Sequence, residues 1–137
     1  VEYFLLNGSL KRVKKNNHIF MEIVKLVGIS NILKHQVLEI SAGQTQLLLL
    51  ARCLLTGSNF IVLDEPVSAM DINARAKFYD IIHEVAKKKS ISIFMTSHDI
   101  NSVIRFSDYV VCINNFIYFQ GKSDEIENGD KVFNFIK

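Results

Sequence analysis

The sequence predicts an α/β domain with a mainly parallel sheet flanked by helices. Two short apolar runs rich in β-branched residues, Phe60–Leu63 and Ile91–Met95, are typical of strands. Between them, apolar residues recur at helical spacing from Phe78 to Val85. A helix between two strands favours parallel pairing, because it returns the chain to the edge where the first strand began. The first run contains only apolar residues, which predicts a strand buried on both faces.

Two helices are predicted before the first strand. Apolar residues from His18 onward follow a helical spacing, and Gly28 is placed to end that helix. The second helix is predicted to begin at Ser41, because Ser41 and Gln44 have the spacing of a capping box. Its apolar positions continue as far as Gly57.

The second half of the chain contains further start and turn signals. Asp71 and Asp99 each precede a segment of helical spacing and are predicted to cap those helices. A hairpin is predicted around the turn residues Asn114 and Asn115, because asparagine tolerates the positive φ that tight hairpin turns need. The two hairpin strands are expected at 109–113 and 116–119, and a final helix is expected at 122–137.

Composition indicates an ordinary globular domain. The chain has 137 residues, of which 49% are hydrophobic, and a net charge of +2 that is too small to favour nucleic-acid binding. Cys53 and Cys112 lack metal-site or redox spacing and are expected to be reduced core residues. No signal peptide or membrane span is visible, and the basic cluster Lys11–Lys15 is predicted to be a solvated loop.

Acidic and histidine side chains follow the two predicted strands. Asp64 and Glu65 come at the end of the first, at the sheet edge where open α/β folds bind ligands. On a strand, neighbouring side chains point to opposite faces, so one acid could hold Mg²⁺ while the other orients or deprotonates a water. His98 follows the second strand, and the helix start at Ser41 suits a phosphate group. The alternative interpretation of the acids is a solvated pair without a catalytic role.

Taken in order, these motifs resemble the nucleotide-binding domain of ATP-binding cassette (ABC) proteins, which have a P-loop NTPase-like fold. The family's signature, Walker B, D-loop and switch-histidine motifs are similar to four segments of this chain in the same order: Ile40–Gln44, Phe60–Pro66, Ser68–Asp71 and Thr96–Asp99. The resemblance covers nearly the whole chain.

The resemblance implies a role for each matched residue. Asp64 would support Mg²⁺ through water, Glu65 would be the catalytic base, and His98 would contact the γ-phosphate of ATP. Four further residues would act between two domains in a head-to-tail homodimer or heterodimer. Asp71 would work across the interface, and the nucleotide held by the partner domain would contact Ser41, Gly43 and Gln44.

Departures from the family pattern are also present. Ala42 replaces the first glycine of the usual Leu-Ser-Gly-Gly-Gln, and Thr45 stands where a basic or amide residue is more usual. The Walker A pattern G-x-x-x-x-G-K-[ST] is not found. Gly121–Ser123 does not supply it, because Phe116 occupies the position of the first glycine and the segment follows a hairpin at the wrong end of the domain. The chain is therefore expected to be a single partial ABC domain lacking the N-terminal Walker A part, with a helical, signature-bearing region (1–57) and an α/β core (58–137).

Three functional hypotheses follow. The first is the ATPase subunit of an ABC transporter, with ATP and Mg²⁺ as cofactors. It would pair with transmembrane permease subunits, lie peripherally at the cytoplasmic face of the membrane, and bind no nucleic acid. The spacing before Ser41, which includes Val27–Ile29 and contains no long insertion, is similar to that of importers of metal ions or iron chelates. The second is a non-catalytic fragment or pairing module that cannot bind ATP alone. The third, a soluble ABC ATPase of DNA repair or translation, lacks support because no coiled-coil heptads appear.

Overall fold

The computed structural model describes the backbone of residues 3–6, 9–12 and 18–127, and the side chains of residues 18–126 except Val37. The side chains of the predicted basic loop and most of the predicted C-terminal helix lie outside these residues.

The chain divides into two compact units between Thr96 and Ser97. Within the described residues, the first unit contains four strands and three helices, in the order β1 (Tyr3–Leu6), β2 (Ser9–Arg12), α1 (His18–Val27), α2 (Ala42–Leu55), β3 (Phe60–Leu63), α3 (Ile72–Lys89) and β4 (Ser92–Met95). The second unit contains α4 (Ile100–Phe106), β5 (Tyr109–Asn114), β6 (Phe116–Lys122) and α5 (Ser123–Glu127). Two short 3₁₀ turns, Ser30–Ile32 and Val37–Glu39, connect α1 to α2.

The helix ends confirm the predicted start and stop signals. Gly28 follows α1 with φ +75°, a left-handed conformation that glycine adopts without steric cost. At the start of α2, Ser41 and Gln44 form the reciprocal capping box. Asp71 caps α3 through its carboxylate, and Asp99 caps α4 in the same way. These elements form where predicted because their end signals are local in sequence.

The predicted parallel pairing is confirmed for the two strands that precede Asp64 and His98. β3 and β4 run parallel, with Phe60 opposite Ser92 and Leu63 opposite Met95. The other two ladders in the described residues, β1 with β2 and β5 with β6, are antiparallel. The predicted α/β fold is therefore present, built here from small sheets and helices.

The prediction that the first strand is buried on both faces is wrong for the described structure. Ile61 is buried, but Phe60 and Val62 are 57% and 60% exposed, and Phe94 on β4 is 52% exposed. The reason is that α3 lies against β4 on one side of the pair, while the face carrying these three residues has no comparable cover in the described chain. A continuous apolar run therefore indicates a sheet with two apolar faces, and only one is covered here.

Helices α1, α2 and α3 enclose the core of the first unit. Val24 and Val27 of α1, Leu50 of α2, and Tyr79 and Val85 of α3 are at most 1% exposed. An ion pair between Glu22 and Lys89 joins the outer surfaces of α1 and α3. The hydrogen bond and charge of Lys89 lower the pKa of Glu22. Packing of the three helices on one another thus holds α2 through its middle and last turns.

The second unit is built around the predicted hairpin, which is confirmed. Asn115 adopts φ +62° at its turn, and the second strand continues to Lys122, three residues further than predicted. Val110 packs with Ile104 and Ile126, and partial burial raises the pKa of the Cys112 thiol. None of the helices described in either unit has the length and apolar character needed to cross a membrane.

Gly121 has a packing role in the second unit. A Cβ atom there would lie 2.5 Å from Glu125 Oε2 and 2.9 Å from the Phe119 ring, so another residue would force both side chains to move. Gly121 and Lys122 belong to β6, and Ser123 begins α5. The tripeptide therefore has a structural explanation that does not involve phosphate.

A pair of adjacent leucines in α2 tests the core. We expect Leu50→Ala to lower the free energy of unfolding by about 2–5 kcal/mol, because Leu50 is fully buried and the substitution leaves a cavity. Leu49→Ala is the control, since Leu49 is 43% exposed and should cost much less. Urea unfolding followed by circular dichroism measures both. Equal losses for the two variants would contradict the described packing of α2.

Candidate functional site

The two acids lie immediately after β3, which ends at Leu63. The expected alternation of Asp64 and Glu65 across a strand therefore does not apply, because neither residue is part of the ladder. Glu65 instead adopts φ +43°, a left-handed conformation that is uncommon for a residue with a side chain. The two carboxylates are therefore placed differently because of the turn at Glu65, and not because side chains alternate along a strand. Asp64 is exposed and Glu65 is partly buried.

Thr96 connects the two acids, although no role for it was predicted from the sequence. The backbone N–H of Thr96 donates to the carbonyl oxygen of Leu63 at 3.0 Å, which extends the β3–β4 pairing by one bond. Its hydroxyl accepts from the N–H of Glu65 at 3.0 Å and donates to Asp64 Oδ1 at 2.6 Å. These contacts link residues 31 and 32 positions apart, so no local sequence signal could have revealed them.

The loop between the acids and α3 is held by its own hydrogen bonds. The N–H and the hydroxyl of Ser68 both donate to the Glu65 carbonyl oxygen, at 3.2 Å and 3.0 Å. Met70 N–H donates to the Val67 carbonyl oxygen, and both Val67 and Met70 are buried. The backbone of Glu65 is therefore bonded at its N–H by Thr96 and at its C=O by Ser68.

Ser41 and Gln44 lie together at the start of α2, as predicted. Gln44 N–H donates to Ser41 Oγ at 3.3 Å, and Ser41 N–H donates to Gln44 Oε1 at 2.8 Å. The Thr45 hydroxyl donates to the Ser41 carbonyl oxygen at 3.1 Å. A serine hydroxyl also carries a hydrogen and a glutamine amide two more, so Ser41 and Gln44 keep donors for an anion. The helix start adds the positive end of the α2 dipole.

The backbone at Ala42 and Gly43 meets one condition for tolerating the first departure from the family pattern, which is that position 42 does not need a positive φ. Neither residue has a positive φ, since α2 begins at Ala42. A Cβ atom at Gly43 would lie 3.7 Å from Ala74 Cβ and from Met70 Sδ, which is ordinary van der Waals contact. Nothing in the described packing therefore requires glycine at position 43. Its nearness to Met70 and Ala74 places the start of α2 beside the loop that leads into α3.

Asp71 has a complete structural role at the start of α3. Its Oδ1 accepts from the N–H groups of Asn73 and Ala74, both at 2.9 Å. Arg75 contributes to the same region by donating to the Met70 carbonyl oxygen at 3.4 Å. The capping role accounts for an aspartate here, and a further role across an interface stays a prediction.

His98 belongs to the second unit, where it is exposed and directly precedes the cap of α4. Asp99 N–H donates to Ser97 Oγ at 3.1 Å, and the Asp99 carboxylate accepts from the N–H and the hydroxyl of Ser102. These bonds fix the backbone on the C-terminal side of His98. Its predicted role with phosphate stays a prediction.

The donor set fits the limited demands of magnesium. No cluster of three or more His, Cys, Asp or Glu side chains suited to a metal occurs among the residues that the structure describes. Mg²⁺ does not need one, because it is held by one or two carboxylates together with waters and phosphate oxygens. Thr96 bonds one oxygen of the Asp64 carboxylate, and the other can accept from a metal-bound water.

Comparison with known proteins defines the class. A family model described as ABC transporter matches residues 4–68. A metal-chelate type ABC transporter in an inward-facing conformation superposes with a TM-score of 0.76 at 23% identity, over 88% of this chain and 49% of that one. An ATP-binding cassette of an ABC transporter in its ADP conformation gives 0.74 at 23% identity, over 86% and 48%. At these identities the structures show the fold alone, which is that of ABC ATPase domains. The family model and this fold support the resemblance to ABC proteins that the motifs carried.

Particular relatives share much more of the sequence. The chain is similar to the zinc import ATP-binding protein ZnuC of Wolbachia pipientis wMel, with 71% identity over 92% of this chain. The protein of the same name from Ehrlichia ruminantium (strain Gardel) is 45% identical over 96% of it. The matches take in 51% and 53% of those relatives, so the chain spans about half their length.

Two substitutions at Asp71 separate its capping role from any other. We expect Asp71→Ala to lower the free energy of unfolding by about 0.5–2 kcal/mol, because two N–H groups of α3 lose their acceptor. Asp71→Asn keeps an oxygen in place and should cost only a small part of that. Chemical denaturation of the three proteins provides the comparison. A loss in Asp71→Asn as large as in Asp71→Ala would contradict capping as the source of stability.

Proposed function

We propose that this chain supplies one part of the ATPase subunit of an ABC importer, and that the complete subunit hydrolyses ATP to drive zinc import. The observation that carries the proposal is the end of β3, where Asp64 and Glu65 are held side by side through Thr96. The names of the relatives support zinc as the transported ion. Hydrolysis of a phosphoanhydride needs mainly positioning and charge stabilisation, and this arrangement suits both.

The two acids have separate tasks in this proposal. Asp64 is exposed, and its carboxylate would hold Mg²⁺ through a water ligand. When bound there, the ion would supply neutralisation of the phosphate charge. Glu65 orients the attacking water and accepts its proton, a task that favours a partly buried carboxylate. His98 donates to an oxygen of the γ-phosphate.

The start of α2 serves a nucleotide held by a second domain. Ser41 and Gln44 retain donors that can reach phosphate oxygens, and the helix dipole favours the same negative charge. Gly43 leaves room for close approach, which agrees with the lack of any packing reason for glycine there. Asp71 acts beside the dimer interface in addition to capping α3. Two such domains in head-to-tail arrangement complete two sites.

The remaining parts of the proposal concern assembly. The complete subunit lies at the cytoplasmic face of the membrane and is attached there by separate permease subunits. The four motifs and the relatives' name support this assembly. The chain forms a single partial ABC domain, and its activity depends on a Walker A segment supplied in the complete protein.

A fusion protein tests the central claim. The chain is joined to the part of the Wolbachia pipientis relative that it does not match, and ATP turnover is measured as phosphate release. We expect measurable turnover and a loss of at least about 100-fold in Glu65→Gln, because the amide cannot take the proton. Glu84→Gln is the control, since Glu84 is an exposed residue of α3 paired with Lys88.

Three outcomes decide between the hypotheses. Unchanged turnover in Glu65→Gln would exclude this residue as the base. An inactive fusion protein would favour a non-catalytic pairing module. The chain alone is expected neither to bind MgATP at micromolar concentration nor to hydrolyse it, and micromolar binding measured by calorimetry would contradict its dependence on a Walker A segment.

Gly43→Ala tests the second half of the site in the same fusion protein. Stability should be unchanged or raised by up to about 1 kcal/mol, because the added methyl group meets no close contact and alanine favours helix. Turnover should fall by about tenfold or more, because the methyl group stands where the phosphate approaches. Ala42→Gly, which restores the usual family residue, should not reduce turnover. Full activity in Gly43→Ala would exclude close approach at this position.

A further inference from the structure

A single hydroxyl group lies between the two acids of the site. Thr96 Oγ1 accepts from the Glu65 N–H and donates to Asp64 Oδ1. The direction is fixed by the chemistry of the partners, since a backbone N–H can only donate and an ionised carboxylate can only accept. The hydroxyl hydrogen is therefore committed to Asp64. At 2.6 Å, this contact has the short length of a hydrogen bond to a charged oxygen.

Thr96 is itself held firmly enough to act as a support. Its N–H donates to the Leu63 carbonyl oxygen, so its backbone belongs to the parallel β3–β4 pairing. Glu65, by contrast, has a left-handed φ that a residue with a side chain keeps only when surrounding contacts impose it. The described contacts that impose it are those of Thr96 at its N–H and Ser68 at its C=O.

We propose that Thr96 is a positioning residue, whose hydroxyl orients the Asp64 carboxylate and holds the turn that presents Glu65. This inference rests on the proposed ATPase function. The hydroxyl fixes Oδ1 and leaves Oδ2 as the carboxylate oxygen that would accept from a metal-bound water. The same group holds the Glu65 backbone, so one hydroxyl sets the geometry of both acids before nucleotide binds.

Two substitutions separate the hydroxyl from the rest of the side chain. Thr96→Val keeps the shape and removes both hydrogen bonds, whereas Thr96→Ser keeps the hydroxyl and removes a methyl group. Thr56→Val is the control: it removes a hydroxyl bonded to the Cys53 carbonyl oxygen at the far end of α2 from Ser41. The variants are made in the fusion protein described above.

Kinetics provide the first readout. We expect Thr96→Val to lower kcat by about 10–100-fold, the range typical of residues that support a metal ligand, with a higher Mg²⁺ concentration at half-maximal rate. The KM for ATP should change little, because the Thr96 hydroxyl is already bonded to Glu65 and Asp64. Thr96→Ser should retain most of the rate, and Thr56→Val all of it. Unchanged kcat and Mg²⁺ dependence in Thr96→Val, or equal losses in Thr96→Val and Thr96→Ser, would overturn the inference.

Hydrogen exchange provides a second readout that does not depend on activity. The Glu65 amide should exchange about fivefold faster or more in Thr96→Val than in the parent or Thr96→Ser, because its acceptor is lost. Equal exchange in all three proteins would overturn the proposed support. If the parent fusion protein does not hydrolyse ATP, the proposed function fails, and amide exchange still decides whether Thr96 holds the acid pair.

Discussion

The parallel register of β3 with β4 is the constraint on which the site depends. Leu63 lies opposite Met95, and this pairing brings Thr96 alongside Asp64 and Glu65 immediately beyond the two strands. A slip of one residue would turn every side chain of β3 to the other face and would move Thr96 away from the acids. The backbone bond from Thr96 to Leu63 therefore helps to fix both the ladder and the position of the carboxylates.

The start of α2 depends on a different set of contacts. Gly43 lies near Met70 and Ala74, so the capping box at Ser41 is adjacent to the loop that begins at Glu65. The cap of α3 by Asp71 fixes the other end of the same loop. Ser41 and Asp71, which are predicted to act at a nucleotide site, therefore both lie at helix ends. Neither can move far without breaking a backbone hydrogen bond of its helix.

Features with local signals could be predicted from the sequence, whereas features that depend on distant partners could not. Capping at Ser41 and Asp71 and the turn at Asn115 were predicted because the residues that form them lie within four positions of one another. The exposed face of β3 was missed, because an apolar run does not reveal how much of the surrounding sheet the described chain contains. The left-handed Glu65 was missed for a related reason, since its conformation depends partly on Thr96 and no glycine marks it.

The residues that form the core are largely different from the residues of the candidate site. Site residues can therefore be substituted without disturbing the core. The core is formed by residues such as Leu50, Tyr79 and Val85, whereas Ser41 and Asp64 are exposed and belong to no apolar cluster. Exchanging an exposed polar group for one of similar shape creates no cavity and buries no unpaired charge, the two main sources of large destabilisation. A conservative change at Asp64 or Glu65 is therefore expected to leave the domain folded. Ser41 and Asp71 are exceptions, because the Ser41 hydroxyl caps α2 and the Asp71 carboxylate caps α3, so any further role of either must be compatible with those bonds.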